Sequence, residues 1–142
     1  MVTAITQPFA RVGVMRLANG DAFGDLPEPA RAAQQAYRSS GRSADALRDD
    51  FAAIPATLRE ALALTTIGAK PLVVVTAAAG AQTGWLEAQQ DMLALSTDSA
   101  SRIAPDQTHD SLIMSETGSA LSTRAILDVL DSARTGMAVA AR

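Results

Sequence analysis

The sequence predicts an α/β fold in which a helical first half precedes a βαβα unit with two parallel strands. Three observations predict it. Apolar residues recur at spacings of three and four through the first half. Pro71 to Thr76 is then a continuous, largely β-branched run, the mark of a strand buried on both faces, as in parallel sheets. From there helical and strand patterns alternate to the end of the chain.

In chain order, residues Val2 to Leu17 read as a helix with Ile5, Phe9, Val12 and Leu17 on or near one face, and Pro8 starting or kinking it. "ANGDAFGDLPEP", Ala18 to Pro29, is turn chemistry built from Asn-Gly, Gly-Asp and two prolines. Ala30 to Arg38 is a short helix, and in the loop after it Ser43 is the expected N-cap of the next. Leu47, Phe51 and Ile54 form a helical stripe. Pro55 is expected to restart a second helix that continues the stripe through Leu58, Ala61 and Leu62. Gly68 falls at an expected C′ position.

In the second half, the Pro71 strand leads through "AAAGAQTG" into a helix over Trp85 to Leu95, with Trp85, Ala88, Met92 and Leu95 along one face. Ser101 to Asp110 reads as a short strand entering a polar turn. Leu121 to Ala133 is the last helix, with Leu121, Ala125, Val129 and Ala133 on its apolar face. Parallel strands need a crossover, which the Trp85 helix supplies. Two strands alone leave edges open, so the Pro71 strand reads as the middle of a larger sheet.

Composition narrows the chemistry. The 142 residues suffice for a domain with a core, and alanine dominates the apolar content. The net charge of −3 provides no basic field for nucleic acid. With no cysteine, a disulfide, a thiolate metal site and a cysteine nucleophile are excluded. A single histidine excludes a His-rich metal site, so no metal or cofactor is expected. No apolar stretch approaches the ~20 residues of a membrane span, and no signal-type segment opens the chain. A cytoplasmic location is the expectation.

The glycine turn after the Pro71 strand invites two functional readings, and both fail. A phosphate loop needs Lys and Ser or Thr after its last glycine, but Trp85 and Leu86 follow Gly84. The nucleophile elbow G-x-S-x-G is matched by "GAQTG", Gly80 to Gly84, except that Gln82 stands at the nucleophile position. No G-x-S-x-G occurs elsewhere in the chain. His109 lies just after the second strand, where open α/β sheets present their catalytic groups. A loop histidine is commonly a solvated surface residue, yet near neutral pH it also serves as a base.

Several stretches together resemble a known family. These are "FARVGVMRL" (Phe9 to Leu17), "LRDDFAAIPATLREALALTTIGAKPLVVVTA" (Leu47 to Ala77), "GWLEAQQDMLALSTDS" (Gly84 to Ser99) and "RIAPDQTHDSLI" (Arg102 to Ile113). In this order they resemble the cap helices, penultimate strand, following helix and histidine loop of an actinobacterial-type, esterase/lipase-like α/β-hydrolase. The resemblance implies a partial α/β-hydrolase fold, with residues 1–68 as a helical cap segment and 69–142 as the C-terminal part of the core. It implies His109 as the catalytic histidine of a Ser–His–acid triad for ester or amide-type hydrolysis. It assigns no acid, since Ala77 to Gly84 contains no carboxylate and Asp110 is badly placed to orient its own neighbour.

The family's elbow, oxyanion loop and first strands have no counterpart here. The chain is therefore expected to be the C-terminal portion of such an enzyme, inactive alone, whose missing half could carry a signal or anchor. Met1 falls inside what resembles a continuous cap helix, which reads as a fragment. The alternatives are a truncated homologue acting as an interaction module, or a half-enzyme completed by a separate N-terminal chain. The expected partners are a small ester-like substrate in the complete enzyme and an N-terminal half or a second copy, with no nucleic acid and no membrane.

Overall fold

The computed structural model describes residue 23 and residues 25–139. The helix expected over Val2 to Leu17 and most of the turn after it lie outside these residues. The chain divides into two compact units, Met1–Ala63 and Leu64–Arg142.

The first unit contains helices α1 (Glu28–Arg38) and α2 (Gly41–Ala63). Pro27 immediately precedes α1, and Pro29 sits in its first turn, where the missing N–H costs nothing. The start of α2 differs from expectation. The cap is Ser40, whose Oγ accepts the Ser43 N–H at 3.2 Å, and not Ser43. Pro55 does not restart a helix either: α2 runs through it without interruption. A proline removes one helical hydrogen bond, but Phe51 and its neighbours are solvent-exposed, so water can serve the freed carbonyl. Two residues after Pro55, the Thr57 hydroxyl adds a bond to the Ala53 carbonyl at 3.2 Å. The stripe of Leu47, Phe51, Ile54, Leu58 and Leu62 is present on α2, and every member is exposed.

The second unit is a mixed helix-and-strand body. Its elements are β1 (Leu72–Ala77), α3 (Trp85–Asp91) running into a 3₁₀ turn at Met92–Leu95, β2 (Ser99–Ala104), α4 (Ser111–Met114) and α5 (Glu116–Thr135). Strands β1 and β2 pair in parallel, with Leu72 opposite Ser99 and Ala77 opposite Ala104. The single helix expected over Trp85 to Leu95 thus tightens in its last turn. Gly68 is not a helix C′ residue: α2 has ended at Ala63, and Gly68 makes an isolated parallel bridge to Ser96. Its φ of +72° explains why glycine stands there.

Burial follows the period of two only in part. Val74 and Thr76 of β1 are buried, whereas Val73 and Val75 are half-buried, so the strand is covered less completely than its β-branched run implies. Helix α5 begins earlier than expected, at a capped serine: the Ser115 Oγ accepts the Gly118 N–H at 3.0 Å. It ends on Gly136, whose φ is +71° and whose N–H returns to the Ser132 carbonyl at 2.8 Å.

The buried side of α5 is Gly118, Ala125, Asp128 and Ser132, while Leu121 and Ala133 are exposed. Polar residues thus share the buried side of the helix with Ala125 of the apolar stripe. Asp128 is paired with Arg124 at 3.1 Å and Arg102 at 3.7 Å. Asp98, at the entrance to β2, accepts the Ser132 hydroxyl at 3.1 Å and the Val139 N–H at 2.8 Å. That carboxylate clamps the end of α5 and the segment after it to the sheet.

Candidate functional site

The loops that leave the two strands are laced together. The Ala78 N–H donates to the Ala104 carbonyl at 3.0 Å, extending the parallel ladder by one step. The Ala79 N–H then donates to the Gln107 carbonyl at 3.0 Å. Both loops are thereby fixed at the carboxyl ends of the strands, the side on which open α/β sheets bind ligands.

The glycine turn after β1 has a backbone role. Gly80 and Gly84 adopt φ of +74° and +83°, a left-handed conformation that other residues rarely tolerate. Gly80 sits in the turn closed by the Ala81 N–H bond to Ala78, and Gly84 precedes α3. The spacing of "GAQTG" is set by two left-handed positions, which places Trp85 at the head of α3.

His109 is positioned by a reciprocal pair of hydrogen bonds. The Thr108 N–H donates to the Ser111 Oγ at 2.8 Å, and the Ser111 N–H donates to the Thr108 Oγ1 at 3.2 Å. This is the geometry of a capping box, with serine in place of the usual Glu or Gln. The Gln107 Oε1 accepts from the hydroxyls of Ser111 at 2.8 Å and Ser115 at 3.1 Å. Gln107, Thr108, Ser111 and Ser115 therefore hold the backbone that carries His109. None of them was singled out from sequence. The signal was the T-x-x-S spacing of Thr108 to Ser111 and the S-x-x-G spacing of Ser115 to Gly118.

His109 lines a cleft of about 500 Å³ with Val75 and Ala77 of β1, Gln82, Trp85, Gln89 and Met92 of the crossover, and Leu112 of α4. The wall is apolar apart from the imidazole, the Trp85 indole N–H and two carboxamides, and among the described residues no hydroxyl, thiol or carboxylate side chain lines it. The His109 side chain has no hydrogen-bond or ion-pair partner among the described residues. The structure thus brings an imidazole to the cleft with neither a nucleophile nor an orienting acid beside it among the described residues. Among the described residues no cluster of three His, Asp or Glu side chains could hold a metal ion. No helix among them is long and apolar enough to cross a membrane.

Comparison with protein-family models, with curated proteins and with solved structures finds no match.

Proposed function

We propose that this chain is the C-terminal portion of a serine hydrolase of the α/β-hydrolase type, in which His109 is the general base and the nucleophile comes from a separate segment. The observation that carries the reading is the placement of His109 in an apolar cleft at the carboxyl ends of two parallel strands. In the reaction, a serine hydroxyl attacks an ester or amide carbonyl while His109 accepts its proton. As the tetrahedral intermediate collapses, His109 returns that proton to the leaving alcohol or amine. Water then releases the acyl group by the same two proton transfers. The apolar wall receives the uncharged part of the substrate beside the exposed imidazole.

The lack of a hydroxyl or carboxylate side chain among the described lining residues favours a second reading, a module that binds a neutral ligand without transforming it. The two readings separate experimentally. With one histidine and one tryptophan in the chain, the His109 ring proton resonances and the Trp85 emission are unambiguous reporters. Acetophenone, a neutral carbonyl compound, should perturb both if the carbonyl sits against the imidazole. Perturbation of Trp85 alone favours the binding module, and perturbation of neither removes the cleft as a site. In the same preparation, hydrolysis of p-nitrophenyl butyrate should be equal for the chain and its His109→Ala variant. Turnover that disappears with His109 would show that the chain carries its own nucleophile.

A further inference from the structure

We infer that β1 is the self-association edge of this protein: two copies pair antiparallel through it, centred on Val75, to form a continuous four-stranded sheet. The parity of the ladder assigns the edge. The Leu72 N–H donates to the Asp98 carbonyl at 2.9 Å and the Ala78 N–H to the Ala104 carbonyl at 3.0 Å. In a regular parallel ladder every second residue bonds to a given neighbour, so Leu72, Val74 and Thr76 face β2. The N–H and C=O groups of Val73, Val75 and Ala77 then face away from it. Among the described residues no strand pairs with that side.

The strand itself carries none of the residues that discourage pairing. From Leu72 to Ala77 it contains no charge, no proline and no glycine. Beside it runs an apolar groove of about 360 Å³ lined by Val73 and Val75 of β1 and by Ala125, Ile126, Val129 and Leu130 of α5. Ile126 is 61% exposed and Leu130 42% exposed beside this groove. Such an edge calls for an extended, uncharged, β-branched strand, and β1 of a second copy is such a strand.

The register supports this choice. Antiparallel pairing about Val75 sets Val75 against Val75 of the second copy and Val73 against Ala77. Both are hydrogen-bonded pairs, and both use the groups left over by β2. Lys70 then lies opposite Gly80 of the second copy, so no like charges meet across the axis. Opposed residues of an antiparallel pair share a face, which places Ile126 and Leu130 of both copies on the same side of the joined sheet. The interface is isologous and closes on itself. It does not depend on the hydrolytic reading.

Light scattering coupled to size-exclusion chromatography, over a hundredfold range of concentration, tests the proposal on the full chain. The wild type should show a concentration-dependent dimer. The variant Val75→Pro removes an N–H that β2 does not use, so it should be monomeric with an unchanged far-ultraviolet spectrum. Ile126→Lys leaves the strand backbone untouched and should weaken the dimer at least tenfold, which covers the case in which the proline variant fails to fold. A wild type that stays monomeric throughout overturns the proposal, as does a dimer that persists unweakened in Ile126→Lys or in folded Val75→Pro.

Discussion

Replacing Gly118 by alanine should unfold the second unit more easily, against the usual effect of this substitution in a helix. Gly118 lies in the first turn of α5, has no positive φ, and is buried. On helix propensity alone the change would stabilise by about 1 kcal/mol. The space forbids it. A Cβ at this position would overlap the Ser111 carbonyl oxygen, stand 2.6 Å from its carbon and 2.8 Å from the Gln107 Oε1. The nearest opposing atoms are backbone, so the neighbour cannot swing aside as a flexible side chain would.

Overpacking of this kind costs about 1–3 kcal/mol. The Ser111 carbonyl also accepts from the Ser115 hydroxyl at 2.8 Å and the Ser115 N–H at 3.1 Å. Displacing it forfeits those two bonds at about 1 kcal/mol each. After the propensity gain, the net loss is about 2–4 kcal/mol. Urea unfolding of Gly118→Ala against wild type measures it, with the Trp85 emission and the helical signal followed together. Because Gln107 and Ser111 carry the His109 loop, the His109 ring resonances should also shift before unfolding begins. A midpoint equal to or higher than that of the wild type would refute the close approach of α5 to α4.

Two further substitutions probe the same unit. Thr76 is 2% exposed and its hydroxyl has no hydrogen-bond partner among the described residues, so Thr76→Val should stabilise by about 1 kcal/mol in thermal or urea unfolding; a loss of that size would mean that the hydroxyl is satisfied. Asp98→Ala removes the acceptor of both Ser132 and Val139 and should cost about 2–4 kcal/mol, with faster amide exchange at Val139. Unchanged exchange at Val139 would dissociate the carboxylate from that segment.

The elements most legible in the sequence were those whose pattern reflects a single physical demand. The valine run of β1 could be read because a strand beside a parallel neighbour needs apolar, β-branched residues, and the parallel pairing of β1 with β2 followed from the crossover between them. Boundaries were less legible where side chains compete with the backbone. Ser43 looked like a cap, but the serine three residues before it accepts the N–H of Ser43 itself, so α2 begins sooner and Ser43 lies inside it. Pro55 looked like a break, but an exposed helix tolerates the missing bond.

The inward face of α5 was read only in part: Ala125 is buried and Val129 half-buried as expected, while Leu121 and Ala133 are exposed. Apolar periodicity pointed also to Leu121 and Ala133, whereas Asp128, besides its local pair with Arg124, meets Arg102, and the Ser132 hydroxyl meets Asp98, both far away in sequence. No local pattern encodes such pairings. At the candidate site, the position of His109 after β2 was readable from order alone. The serine and glutamine network beneath it was not, because hydroxyl-rich loops are common and only the three-residue spacings distinguish this one.

The Asp98 clamp has a bearing on how long the folded state lasts. Its bonds to Ser132 and Val139 join groups 34 and 41 residues apart, whereas β1 and β2 close a shorter loop through one helix. Contacts that close long loops carry the larger entropic cost and tend to form after the shorter ones. An interaction made after the folding barrier has little influence on the rate of folding. It must nevertheless be broken on the way out, so its strength is expressed in the rate of unfolding. One carboxylate at the mouth of β2 thus acts as a latch on the lifetime of the unit, fastening α5 and its trailing segment against spontaneous release.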